Sequence, residues 1–125
     1  MSAPRFVVGV GASSGATAAE IHELVTAALA EAGVGPEQVT CVGTVTGRRA
    51  DPRLVALGWP VVGYAPAELA GVAVPSPPSE RARREVGTGS VAEAAALLAA
   101  GPGARIVLPR RRSGRATAAI ASACP

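Results

Sequence analysis

Short, continuously apolar runs alternate along this chain with longer stretches whose apolar residues recur every three to four positions. Residues 5–10 (Arg-Phe-Val-Val-Gly-Val) form the first run and predict a short buried strand. A glycine-rich turn over residues 9–15 follows, and Thr17-Ala18-Ala19-Glu20 has the form of a capping box. The helix it opens sets Ile21, Leu24, Val25, Ala28, Leu29 and Ala32 on one stripe, with Gly33 as its C-terminal stop. Residues 38–45 predict a second strand and residues 46–50 a polar turn. Asp51 and Pro52 suit the cap and first position of a short helix, which Gly58 ends after Leu57.

Residues 60–64 predict a third strand, and Pro66-Ala67-Glu68-Leu69 a single helical turn. Residues 73–80 carry Pro75, Pro77 and Pro78, cannot pair inside a sheet and predict a loop. Residues 80–85 are charged and compatible with a helix, and Gly87-Thr88-Gly89 reads as a hinge-like turn. Ser90-Val91-Ala92-Glu93 is a second capping box, heading a helix that runs to Ala100. Ile106-Val107-Leu108 predicts a strand ended by Pro109, then a basic turn over 110–115 and a last strand over 116–121. The turn between these two strands is too short for a crossover, so they are expected to pair antiparallel. This order predicts one three-layer α/β/α domain over residues 1–125, with a mostly parallel sheet and an antiparallel C-terminal strand pair.

Composition narrows the classes of function. With 49% hydrophobic and 17% charged residues, the chain is too apolar to be disordered. No apolar run approaches the roughly 20 residues that span a bilayer, so no membrane association is expected. The first residues show no signal-peptide pattern, which makes the cytoplasm the expected location. Cys41, Cys124 and the lone His22 do not make a zinc site, and no metal or other cofactor is expected. Every basic residue is an arginine and the net charge is +3. Lysine chemistry such as Schiff-base formation is therefore excluded, and what remains is a supply of permanent, fork-shaped anion binders. Aromatic residues at 2% argue against base stacking, and no nucleic-acid partner is expected.

Two groups of residues carry candidate chemistry. The glycine turn brings backbone N–H groups, a helix N-terminus and the hydroxyls of Ser13, Ser14 and Thr17 together, a combination suited to an anion. Its Gly-x-Gly-x-x-x-Gly spacing is one residue off the dinucleotide fingerprint. The arginines after the second strand, Arg48 and Arg49, would suit a 2′-phosphate, so an NADP-type nucleotide binder is one reading. The second group is Thr44, Arg48 and Asp51 after the second strand. In an open α/β sheet the loops at the carboxyl ends of the strands gather on one edge. That edge would also collect the helix start at Ser90 and the loop at Arg110. Asp51 and Glu93 are the candidate proton-transfer carboxylates, each with an alternative explanation as a helix-start residue, which for Glu93 is the preferred one. His22 reads as a surface residue.

Read in order, four blocks resemble one known family. They are Val7-Val8-Gly9-Val10-Gly11 with the helix to Gly33; Gly43-Thr44, Arg48, Asp51-Pro52 and Leu54; Val86-Gly87 with Ser90 to Leu97; and Ile106 to Arg110 with Thr117-Ala118-Ala119-Ile120-Ala121. This pattern is similar to that of the CobE and CbiG C-terminal family of cobalamin biosynthesis. Arginines stand at 48 and 110 where the family carries lysine, Asp51 stands for a glutamate, and Ser13 and Ser14 replace residues that are often basic. The resemblance implies a protein that binds or processes a carboxylate-rich precorrin or corrinoid intermediate, with other enzymes of that pathway as possible partners. The expected rim is Gly9, Gly11, Ser13, Ser14, Thr17, Thr44, Arg48, Asp51, Ser90, Arg110 and Thr117. CbiG itself is a cobalt-precorrin hydrolase that opens a lactone, and likeness to its C-terminal part alone does not carry that activity over. A hydrolase component and a non-catalytic partner of corrin-pathway enzymes therefore stand beside the binding reading.

Overall fold

The computed structural model describes residues 5–72 and 91–123. In chain order its elements are β1 (Phe6–Ala12), α1 (Ala18–Ala32), β2 (Val39–Val45), α2 (Pro52–Val55), β3 (Val61–Tyr64), α3 (Pro66–Ala70), α4 (Val91–Ala100), β4 (Arg105–Arg112) and β5 (Ala116–Ser122). Short 3-10 turns at Pro36–Gln38 and Thr46–Arg48 flank β2. The sheet order is β3-β2-β1-β5-β4. β1 pairs parallel with β2 and β2 with β3, whereas β5 pairs antiparallel with both β1 and β4. Four of the five strands therefore point the same way and β5 alone runs against them. This is the expected mostly parallel sheet with an antiparallel C-terminal pair.

Local signals explain α1. The Thr17 hydroxyl oxygen accepts from the Glu20 N–H at 3.0 Å, and Gly33 closes the helix in the left-handed region at φ 71°. Ile21, Val25, Ala28 and Leu29 are its buried stripe. They pack with Val8, Val10, Val42, Leu54, Ala118 and Ile120 on one side of the sheet. The other side is covered by α4, which lies across β1, β2 and β5. There the strands offer almost no side chain. A Cβ at Gly9 would overlap the Ala92 carbonyl oxygen, and one at Gly43 would lie 2.6 Å from that of Ala95. Opposite Gly9 in the β1–β5 register stands Ala119. Small residues on both surfaces thus let the α4 backbone approach the sheet closely, which is why α4 is alanine-rich and why Val91 to Ala96 are all buried. Leu69 of α3 joins this second cluster beside Val91, Ala94 and Ala95.

Three expectations change. Gly11, read as part of the turn, is a strand residue paired with Thr117, and Gly9, where the predicted strand and turn overlap, belongs to the strand and pairs with Ala119. The predicted helix reaching Leu57 is α-helical only over Pro52–Val55 and finishes in a turn, where the Gly58 N–H donates to the Val55 carbonyl. β4 does not stop at Pro109 but continues to Arg112, so Arg110, Arg111 and Arg112 are strand and not turn. β4 is an edge strand, where a proline costs no interior ladder bond, and its register shifts between Leu108 and Arg111 absorb it. The expected loop over 73–80, the charged stretch at 80–85, the hinge at 87–89 and the Ser90 cap lie outside the described residues.

Candidate functional site at the carboxyl edge of the sheet

The direction of the strands decides where the loops meet. β1, β2, β3 and β4 all end at one border, and the chain then enters α1, α2 and α3 from that border. Val91 packs against Gly11, so α4 also begins there. Several helix N-termini consequently face one edge, each carrying partial positive charge.

On the α1 side of this edge a polar network ties the glycine turn in place. The Ser13 N–H and hydroxyl both donate to the Arg115 carbonyl, at 3.0 and 3.1 Å. Arg115 Nη1 donates to the Gly15 carbonyl at 3.0 Å, and the Arg115 N–H donates to Glu20 Oε2 at 2.8 Å. The Ser113 hydroxyl donates to the same carboxylate oxygen. That bond, then the one from Arg115, holds Glu20 below the usual carboxylate range. From the other flank Arg53 Nη1 donates to the carbonyls of Ser13 at 2.8 Å and Ala16 at 2.6 Å. The rest of its guanidinium grips Asp51, with Nε at 2.9 and 3.1 Å from the two carboxylate oxygens. Asp51 also caps α2 by accepting from the Arg53 N–H at 2.9 Å. The Arg53 side-chain bonds bring the Asp51 carboxyl down to about 2. A carboxylate held ionised so firmly is a poor proton acceptor, and its evident work here is to organise α2. Arg48 lies 3.7 Å from Asp51 Oδ2 with its side chain partly exposed.

On the α4 side the Thr117 hydroxyl donates to the Gly11 carbonyl at 3.4 Å. Glu93, fully buried in the first turn of α4, accepts from the Arg110 N–H at 3.0 Å. The register shift in β4 frees that N–H from the ladder. The edge therefore brings together Gly11, Ser13, Ser14, Thr17, Arg48, Asp51 and Thr117. Three expected rim residues sit deeper. Gly9 is mid-strand beneath α4, Arg110 lies in β4 between Leu108 and Arg111, at about the level of Gly9, and Thr44 is fully buried, its hydroxyl donating to the Val10 carbonyl at 2.8 Å. With Gly9 and Gly11 in strand, the glycine spacing does not form the turn that a dinucleotide fingerprint requires. Ser90 lies outside the described residues.

Arg53, Arg115 and Glu20 were not singled out in the sequence as site residues. The Asp-Pro-Arg order at 51–53 is the one local hint for Arg53, since it puts an arginine two positions after a cap. Its loop partners are 37 and 40 residues away and leave no local trace. His22 is exposed and lines a shallow groove of about 290 Å³ between α1 and α2, together with Glu23 and Leu57. Burial pushes the Cys41 thiol up, away from thiolate chemistry. Among the described residues no cluster of three or more His, Cys, Asp or Glu could hold a metal ion, and no helix is long and apolar enough to cross a membrane.

Comparison with known proteins agrees with this architecture. The family described as Cobalamin synthesis G C-terminus matches residues 6–121. Protein CobE of a Sinorhizobium species is 34% identical over 120 residues, covering 92% of this chain and 78% of its own. The cobalt-precorrin-5A hydrolase of Priestia megaterium is 29% identical over 118 residues, and this chain spans 31% of that protein's length. The crystal structure of CobE, described as a protein from the cobalamin (vitamin B12) biosynthetic pathway, has a TM-score of 0.86 to this chain at 32% identity. It aligns over 95% of this chain and 90% of its own. A family match over almost the whole chain and a CobE relative above 30% identity together place this protein in the CobE and CbiG C-terminal family of cobalamin biosynthesis.

Proposed function

We propose that the carboxyl edge binds a carboxylate-rich precorrin or later corrinoid acid. The observation that carries this reading is the convergence of helix N-termini with the hydroxyls of Ser14 and Thr17 and the guanidinium of Arg48 on one border. Corrin precursors carry several acetate and propionate arms. An edge that offers fixed N–H dipoles and guanidinium forks matches such arms through charge-assisted hydrogen bonds. Membership of a cobalamin-biosynthesis family supplies the substrate class. The edge is read as a binding surface and not as a hydrolytic centre, because Asp51 is committed to Arg53 and Glu93 is enclosed.

Titration with hydrogenobyrinic acid, followed by the visible absorption of the corrin, tests this. Arg48→Gln should weaken binding about tenfold, the loss of one charge-assisted bond. Arg111→Gln should leave it unchanged, since that guanidinium pairs with Glu31 on α1. Failure of hydrogenobyrinic acid and earlier precorrins to bind the folded protein would refute the proposal and leave a protein-partner role. Release of acetaldehyde from a ring-lactone precorrin by this chain alone would overturn the non-hydrolytic reading.

A further inference from the structure

Asp51 has two arginines within reach, and the geometry divides them unequally. Arg53 approaches the carboxylate edge-on, its Nε 2.9 and 3.1 Å from the two oxygens and its Nη2 bonded to Oδ2. Arg48 comes no closer than 3.7 Å to the same Oδ2, beyond hydrogen-bond length. The remaining nitrogen of Arg53, Nη1, is spent on the carbonyls of Ser13 and Ala16. Every guanidinium nitrogen of Arg53 is thus used inside the protein, while the Arg48 side chain stays partly exposed. Charge does not separate the two side chains. The difference is a side-on, bidentate approach that only Arg53 achieves.

We propose that Arg53 is a positioning residue acting through Asp51: by saturating that carboxylate it keeps Arg48 available to an anionic ligand, and by bridging to Ser13 and Ala16 it holds the glycine turn beside it. This rests on the reading of the edge as a carboxylate-binding surface. Without the Arg53 guanidinium, Asp51 is left to Arg48, and the internal pair competes with the ligand for the same fork. Removing the carboxylate as well should then free Arg48 again. Asparagine at 51 is suited to this because it also caps a helix.

Four proteins decide the matter: wild type, Arg53→Gln, Asp51→Asn and the double variant, each titrated with hydrogenobyrinic acid. Arg53→Gln should lose affinity about tenfold, and the double variant should recover most of that loss. A structural strut would give no such recovery, so an equally weak double variant overturns the proposal. Wild-type affinity in Arg53→Gln overturns it as well. Should Arg53→Gln lose its far-ultraviolet circular dichroism, Arg53→Lys replaces it, since lysine keeps the charge and loses the fork. The competition is also measured without any corrinoid, by following the Asp51 carboxyl titration in ¹³C NMR. Arg48→Gln should raise its midpoint in the Arg53→Gln background and barely move it in wild type. Equal shifts in both backgrounds refute the competition. If wild type binds no corrinoid but the shifts differ, the ligand reading falls and the division of labour at Asp51 stands.

Discussion

Replacing Gly9 by alanine adds a single methyl group to the centre of the sheet, and the structure specifies what it meets. Gly9 lies in β1 between Gly43 of β2 and Ala119 of β5. Its added Cβ would overlap the Ala92 carbonyl oxygen and lie 2.8 Å from the Ala96 nitrogen. Both are backbone atoms of α4, so no rotamer change relieves the overlap. β1 is held by ladders on both sides, and α4 must lift or the strand must buckle. Overpacking of this kind costs about 1–3 kcal/mol, and the rigid surroundings favour the upper end. About 3 kcal/mol is a large share of the roughly 5–15 kcal/mol that stabilises a domain. For a chain of this size it corresponds to a melting temperature about 10 °C lower. An unhindered glycine in a strand gives the opposite sign, because alanine there is favoured by roughly 0.5–1 kcal/mol. Urea unfolding followed by circular dichroism separates the two cases. Gly47→Ala is the comparison, since nothing lies within 4 Å of its Cβ position and its φ is not positive. That variant should be neutral or stabilised by up to about 1 kcal/mol. A Gly9→Ala midpoint at or above wild type would refute the close-approach account of the α4 face.

Two further outcomes follow from buried polar contacts. Thr44→Val keeps the shape of the side chain but removes the donor that the Val10 carbonyl accepts at 2.8 Å, and should cost about 1 kcal/mol in the same urea assay. Asp51 remains ionised in the fold down to about pH 2, whereas its ordinary value is 3.8. Around and between these values the unfolded chain binds more protons, so the Asp51 contribution, complete above about pH 5, should fade as pH drops towards 2. Acid unfolding of Asp51→Asn should lack that share of the loss, and an unchanged acid profile would count against the Arg53 grip.

How much was legible depends on the range of the interactions involved. The Thr17 cap, the Ile21-to-Leu29 stripe and the Gly33 stop act within one helix, and α1 appears where they put it. Strand–helix alternation and the short turn between β4 and β5 were enough for the class and for the antiparallel C-terminal pair. Pro109 misled because its local meaning, a strand end, is overruled on an edge strand with a shifted register. Gly9 misled for a related reason. A glycine before a turn reads as backbone freedom, but here it makes room for a helix more than 80 residues further along. Arg48 was legible as a cation in a loop at the edge, whereas Arg110 and Thr44 were placed at the rim and prove to be a mid-strand residue of β4 and a buried sheet contact.

The amino-acid order alone settled the class of fold, the two ends of α1 and the family, because capping, periodicity and ordered blocks are properties of neighbouring residues. Only the folded chain decided that Arg53 and not Arg48 takes Asp51, that Arg115 and Glu20 brace the glycine turn, and that Gly9 serves α4. Those choices join residues tens of positions apart. Their energies depend on distances of a few tenths of an ångström, which packing sets and composition does not.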